Sequence, residues 1–237
     1  MGKCPVTWYD IYVPIYKYVN KDFFKKWTNE MAYVLGFFAA DGNIIRNKRG
    51  AHFLTLEICD LDILEKIRFA MNSEHKISVK INKNPSKHRD AYKLQIGSKD
   101  IYYDLVALGF SYNKTKNLSV PLVPKKVFSD FVRGYFDGDG NVWVGRVHKD
   151  RKTPLLAIQT VLTSCSRGFL GDLMERLEEY GIKGKLRQVK NYYRLVFSIQ
   201  SSIRLCSFLY PVNDKQILCL ERKKSIFDSY LRKRMRP

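Results

Sequence analysis

The chain has 237 residues and sets 42 Lys and Arg against 23 Asp and Glu, a formal net charge of +19. With 45% apolar and 14% aromatic residues it has ample surface to bury, which excludes a disordered tail-like protein. No apolar run approaches the roughly 20 residues of a membrane helix, and a cation excess of this size points to a polyanion, either nucleic acid or an anionic membrane surface.

The N-terminus lacks the basic-then-apolar order of a signal peptide, which predicts an intracellular, non-secreted chain, in a microbial cytoplasm or an organelle. Five cysteines are scattered with no C-x-x-C pair, and none of four histidines stands at ligand spacing from one. That pattern predicts reduced cysteines and no zinc site.

Residues 1–27 form a Tyr- and Lys-rich N-terminal extension ahead of the first repeat. A first helix is predicted from Asn29 or Glu30 to Asp41, after a Thr28/Asn29 cap signal and stopped by Gly42. Alternating strands follow near 44–48 and 53–59, then a helix over 62–71 capped by Asp62. Strands over 77–82 and 91–97 and a helix over 99–109 complete the unit. Residues 117–125, with Pro121 and Pro124, read as a semi-rigid linker.

The same order then returns, with a helix over 126–138 and strands over 142–147 and 155–162. A helix over 166–180 capped by Ser166, strands over 184–190 and 192–199, and helices over 201–210 and from 216 into the basic tail follow. Val34–Asn43 matches Val132–Asn141 at an offset of 98 residues, which drifts to 101 at the later strands. Two αββαββα units, 28–116 and 126–237, predict an α+β molecule with antiparallel sheets and two-fold pseudosymmetry.

Each opening helix carries small residues four apart, Gly36 and Ala40 in one and Gly134 and Gly138 in the other. Residues four apart share a face, so the two smooth stripes predict helix-on-helix packing. Asp41 and Asp139 sit at the C-terminal ends, where the helix dipole disfavours a carboxylate by about 0.3–1 kcal/mol. Brought together, the pair would repel unless a cation intervened, and carboxylates with helix-end carbonyls make an all-oxygen site suited to Mg²⁺.

Val34–Gly42 and Val132–Gly140 resemble the two motif copies of the LAGLIDADG homing endonucleases in their single-chain form, over about residues 28–230. The resemblance implies two central motif helices flanked by two curved sheets that form a saddle in the DNA major groove. It implies that Asp41 and Asp139 bind the catalytic ions, with the backbone of Ala40 and Gly138 beside them. Mg²⁺ is the expected ion, with Mn²⁺ able to substitute and Ca²⁺ binding without cleavage. One phosphodiester per strand would be hydrolysed across the minor groove, leaving 3′ overhangs. Copy one departs from the fullest motif, with Ala39 where copy two has Asp137; Asp137 is read as capping or structural. Asp60 and Ser164 fall near the family's water-positioning site, and Lys114 and either Arg222 or Lys223 near its basic residue.

The strands give an independent reading. Lys80 and Asn82, Lys93 and Gln95, Lys185 and Arg187, and Tyr192 and Arg194 alternate with apolar residues, so one sheet face presents a basic and amide row. Such residues pair with base edges in a major groove. Arg46 and Lys48, and Arg146 and His148, at the hairpin ends suit backbone phosphates. The expected partner is double-stranded DNA with a long specific target, bound by a monomer and not a membrane. The alternatives are an RNA-binding intron maturase or a cleavage-dead DNA-binding regulator on the same fold.

Overall fold

The computed structural model describes residues 17–82, 89–111, 118–148, 150, 152–153, 155–211 and 217–234. The first repeat runs α1 (Asn29–Asp41), β1 (Gly42–Arg46), β2 (His52–Ile58), α2 (Leu61–Ala70), β3 (Ile77–Lys80), β4 (Ala91–Gly97) and α3 (Lys99–Ala107). The second runs α4 (Phe128–Asp139), β5 (Gly140–Val147), β6 (Leu155–Ser164), α5 (Arg167–Glu178), β7 (Gly184–Val189), β8 (Tyr192–Phe197) and α6 (Ile199–Leu209). A last helix, α7 (Glu221–Arg234), closes the chain's described part. The sheets are antiparallel with matching orders, β1-β2-β4-β3 and β5-β6-β8-β7.

α1 and α4 are the centre of the molecule. Met31 to Ala39 are buried along α1, as are Asp130 to Asp137 along α4, so both helices are covered on all sides. The helices meet backbone to backbone. A Cβ added at Gly36 would overlap the Phe131 carbonyl, and one at Gly134 would overlap the Tyr33 carbonyl. Further along, Gly138 lies against the Ala40 methyl and the Asp41 carboxylate. The stripes of small residues thus allow the close approach expected of them.

The glycines after the two helices stop them, as expected, but without a left-handed backbone. Gly42 and Gly140 have φ of −87° and are extended, so each helix passes directly into its strand. Glycine is needed there for space, because a Cβ would run into the ring of Phe38 or Phe136.

Strand pleat sorts the side chains. Ile44, Leu54, Leu56, Leu94 and Ile96 face the helices in the first sheet, and Val142, Ile158, Leu162, Leu195 and Phe197 in the second. The opposite face of each sheet is open.

Each repeat is strapped to the other by the segment after its third helix. Ser166 Oγ, at the N-cap of α5, donates to the Leu118 carbonyl at 2.6 Å, and Asp172 accepts the Val120 amide at 3.2 Å. Arg176 reaches the Val123 carbonyl at 2.6 Å, so the proline-bearing linker is pinned along α5. In return, residues 218–223 run along α4 and reach the first repeat at Asp60. The described part of the N-terminal extension packs on the body, with Val19, Phe23 and Phe24 buried and Tyr18 joined to Glu74.

Candidate active site and nucleic-acid interface

Asp41 and Asp139 end their helices side by side. A Cβ at Gly138 would lie 2.9 Å from Asp41 Oδ2, which puts that carboxylate against the last turn of the opposite helix. Both carboxylates act electrostatically on the same two groups, the Tyr135 hydroxyl and the Lys223 ammonium. Tyr135 is buried and donates to the Thr163 carbonyl at 2.6 Å; burial, Asp139 and Asp41 all push its hydroxyl well above the usual value.

Lys223 enters from α7 and closes the end of α4. Its Nζ donates to the carbonyls of Phe136 and Asp137 at 2.7 Å, Gly140 at 2.6 Å and Gly138 at 3.2 Å. A cation at the negative end of a helix satisfies carbonyls that have no partner within it. Burial nevertheless pushes the ammonium down to about 8, with Asp137, Asp41 and Asp139 opposing the shift.

Asp137, the first acidic residue of the second motif, is fully buried and structural. Its Oδ2 accepts from Tyr33 Oη of α1 at 2.7 Å and from the Leu220 amide at 2.8 Å. Burial pushes its carboxyl up to about 6, against the Tyr33 and Leu220 hydrogen bonds. Arg133, also buried, pairs with Asp130 and donates to the carbonyls of Leu218 at 2.8 Å and Leu209 at 2.9 Å. These three α4 side chains and Lys223 fix the strap of residues 218–223 to the motif helix.

Asp60 and Ser164 are not equivalent positions. Ser164 is the last residue of β6, buried, and its Oγ accepts the Ser166 amide at 3.1 Å. Asp60 is the N-cap residue of α2, the place expected of Asp62, whose carboxylate instead pairs with Lys66 at 2.9 Å. The counterpart of Asp60 is therefore Ser166. Asp60 is held by Arg222, whose Nε and Nη2 lie 2.8–3.1 Å from its oxygens, with Arg89 at 3.9 Å. Lys114 lies outside the described residues.

The oxygen donors at the paired helix ends are two carboxylates and backbone carbonyls, including those of Ala40 and Gly138. Among the described residues no three His, Cys, Asp or Glu side chains gather into a metal-binding group. An oxygen-only set with so few protein ligands fits a hard cation that keeps waters and takes phosphate oxygens, as Mg²⁺ does. The Gly138 carbonyl, although it accepts from Lys223, retains a second lone pair.

The open sheet faces carry the residues read from the alternation. In the second sheet Arg187 pairs with Arg194, which pairs with Thr163, and Lys185 follows on the same face. Lys185, Arg187 and Arg194 are exposed, and the Arg194 guanidinium lies 5.3 Å from the centre of the Tyr192 ring. In the first sheet Lys93 and Gln95 share the open face with Ser78 and Lys80. Gln95 Nε2 donates to Thr55 at 3.4 Å, Lys80 pairs with Glu57 at 2.9 Å, and Asn82 follows with its amide on Asp90.

Arg46 and Arg146 depart from that row. Arg46 pairs in register with His52, and Arg146 with Leu156, which puts both on the helix-side face; Arg46 is the last residue of β1 and Arg146 the last but one of β5, and both are exposed. Lys48 and His148 are exposed beyond those strands. Asn43, Trp143 and Gln159 join the open faces, and the alternation of β1, β5 and β6 carried that signal in the sequence.

The fold and site define a two-repeat α+β protein whose paired helices bring two carboxylates together and whose repeats each add a sheet with one polar face. The LAGLIDADG-like domain family matches residues 28–107 and 128–209, and the chain belongs to it, with two copies of the domain in tandem. Uncharacterized protein MJ0398 of Methanocaldococcus jannaschii is 24% identical over 193 residues, 74% of this chain and 64% of that protein. A probable translation initiation factor IF-2 of Thermococcus kodakarensis is 32% identical over 123 residues, which are 48% of this chain but 10% of that protein. The chain thus spans less than two thirds of either relative.

Solved structures share the fold. The meganuclease I-AabMI bound to uncleaved DNA aligns over 84% of this chain and 88% of its own, with TM-score 0.57 and 18% identity. I-DmoI in complex with DNA and Ca aligns over 90% and 99%, with TM-score 0.56 and 13% identity. Among the described residues no helix is long and apolar enough to cross a membrane.

Proposed function

We propose that this chain is a divalent-metal-dependent, site-specific endonuclease of double-stranded DNA that acts as a monomer. The observation that carries the reading is the meeting of Asp41 and Asp139 at adjacent ends of two helices packed backbone to backbone. Neither carboxylate is favoured by its own helix, and pure DNA binding has no need of either.

Asp41 and Asp139, with the carbonyls of Ala40 and Gly138, would hold Mg²⁺. The bound metal supplies an activated water and stabilises the leaving oxygen of each phosphodiester. The chain's own residues do the rest. Lys223 fixes the last turn of α4 and so the place of Asp139. Lys93, Gln95, Lys185, Arg187, Tyr192 and Arg194, with Lys80 and Asn82 beside them, face the major groove. Arg46, Lys48, Arg146 and His148 take phosphates at its ends. One carboxylate per half supports one cut per strand, and the family resemblance implies that the cuts lie across the minor groove and leave 3′ overhangs. Likeness of fold to meganucleases solved with DNA, and with Ca, supports the same reading.

The test is a randomised duplex library incubated with the protein in Mg²⁺, Mn²⁺, Ca²⁺ or EDTA, the ends then being sequenced. Discrete breaks in Mg²⁺ and Mn²⁺ alone are expected, and Asp41→Asn or Asp139→Asn should abolish them while specific capture persists. Capture without breaks by the unaltered protein would instead identify a DNA-binding regulator. Neither breaks nor capture would move the function to RNA.

A further inference from the structure

Thr28, Ser98, Ser166 and Ser198 each use their hydroxyl to cap the helix they precede. Asp60 stands at the same position before α2 and makes no such bond, although aspartate is among the best capping residues. Its carboxylate is turned to Arg222, from the other repeat, and is only 15% exposed on its side chain against 48% for the arginine. Two guanidinium nitrogens engage it in the fork geometry that fixes an arginine's plane. The third, Nη1, has no partner among the described residues. A cavity of about 320 Å³ opens beside the pair, lined by Cys59, Tyr92, Leu220 and Glu221 as well.

Arg222 is also held from behind. Lys223, the next residue, is locked into the end of α4, and Leu220 is bonded to Asp137, so the guanidinium's backbone is fixed to the motif helix while its side chain is fixed to the first repeat. The reciprocal contact, Ser166 to Leu118, is an uncharged buried hydrogen bond that keeps its helix cap. Among the described residues, Asp60 holds a cation from the other repeat and its counterpart Ser166 holds none.

We propose that Asp60 is a positioning residue acting across the repeat boundary: it holds Arg222 of the C-terminal helix so that Nη1 receives a phosphate oxygen of one DNA strand at the first repeat's edge of the site. Asp60 then touches neither water nor metal in the reaction. The inference rests on the nuclease reading above, and it makes the two strands unequal in what they need.

The experiment uses the full chain and a duplex recovered from the randomised library, its strands carrying different labels. Asp60→Asn, Arg222→Gln and the double variant are compared in single-turnover cleavage with Mg²⁺. Each single variant is expected to slow cleavage of the same one strand by about 10-fold, within the range for coupled neighbours, and the double variant to be no slower than Arg222→Gln. Arg222→Lys should fail to restore the rate, since an ammonium cannot form the fork. Losses that multiply in the double variant would give Asp60 a role of its own and overturn the inference. Equal slowing of both strands with a lowered melting temperature would make the pair merely structural, and also overturn it. Unaltered protein that cuts no duplex would overturn the nuclease reading, and this inference with it.

Discussion

Gly134→Ala tests the closest approach in the molecule. The added Cβ would stand within 3.0 Å of three backbone atoms of Tyr33 and Phe37, where ordinary contact begins at 3.4 Å. Backbone cannot swing aside as a flexible side chain can, so α1 and α4 must part by about 1 Å, which forfeits a quarter to a half of each facing contact. Overpacking of this kind costs about 3 kcal/mol, and the better helix propensity of alanine returns about 1 kcal/mol. The net loss of about 2 kcal/mol corresponds to a melting temperature lower by about 4–8 °C for a chain of this size. Gly171→Ala is the control. Gly171 lies within α5 with nothing within 4 Å of its added Cβ, so only the propensity gain applies and the protein should melt slightly higher. Calorimetry or circular dichroism reads both. Gly134→Ala melting at or above the unaltered protein would refute backbone contact at this crossing. On the nuclease reading the same variant should lose about 100-fold in cleavage well below its melting temperature, since a 1 Å displacement of reacting groups can cost that much.

Arg133→Met removes the cation from a fully buried pair and leaves the Asp130 charge behind, with the Leu209 and Leu218 carbonyls also losing a donor. Breaking such a pair costs about 3–5 kcal/mol; an unchanged urea midpoint would show that the strap does not depend on it. His75 supplies a pH dependence. Its Nε2 accepts the Gly97 amide at 3.3 Å, which requires the neutral ring, and burial followed by Lys17 holds its pKa below 6.5. The unfolded chain therefore takes up the proton first as pH falls, and stability present above pH 6.5 is lost through the folded value. The melting-temperature advantage of unaltered protein over His75→Gln should shrink below pH 6.5; a constant advantage would show that the ring does not titrate in this range.

Much of this architecture is written in local pattern. The helices and strands follow from period and capping signals, and Asp41 and Asp139 stand out because the chain repeats them at the same place in two helices. Period 2 is enough to put Lys93 with Gln95, and Arg187 with Arg194, on open faces. The same period puts Arg46 with Ile44, on the helix side, at the exposed hairpin end of its strand. Asp62 looked like the cap of α2 because the true N-cap, Asp60, has given its carboxylate to a residue 162 positions away. Lys223 stands in the run Glu221-Arg222-Lys223-Lys224, which has the composition of a solvated helix face. Its burial follows from where α7 crosses the end of α4, and no sequence neighbour announces that crossing.

The two motif helices are alike in backbone and unlike in polar chemistry, and the difference settles what each can pack against. At the 98-residue offset, Tyr33 corresponds to Phe131, Asn29 to Val127, Ala32 to Asp130 and Ala39 to Asp137. The observed pairing joins Tyr33 to Asp137 at 2.7 Å and Asn29 to Asp130 at 3.2 Å. Two copies of the second repeat packed through α4 would set Asp137 against Phe131 and Asp130 against Val127. Two carboxylates in each copy would then be buried without those donors, and a group buried without its partner carries its full desolvation penalty. Two copies of the first repeat would set the Tyr33 hydroxyl against Ala39, again with nothing to receive it. Each helix is therefore complementary to the other and not to itself. In one chain that asymmetry selects the packing in which Asp41 and Asp139 lie together.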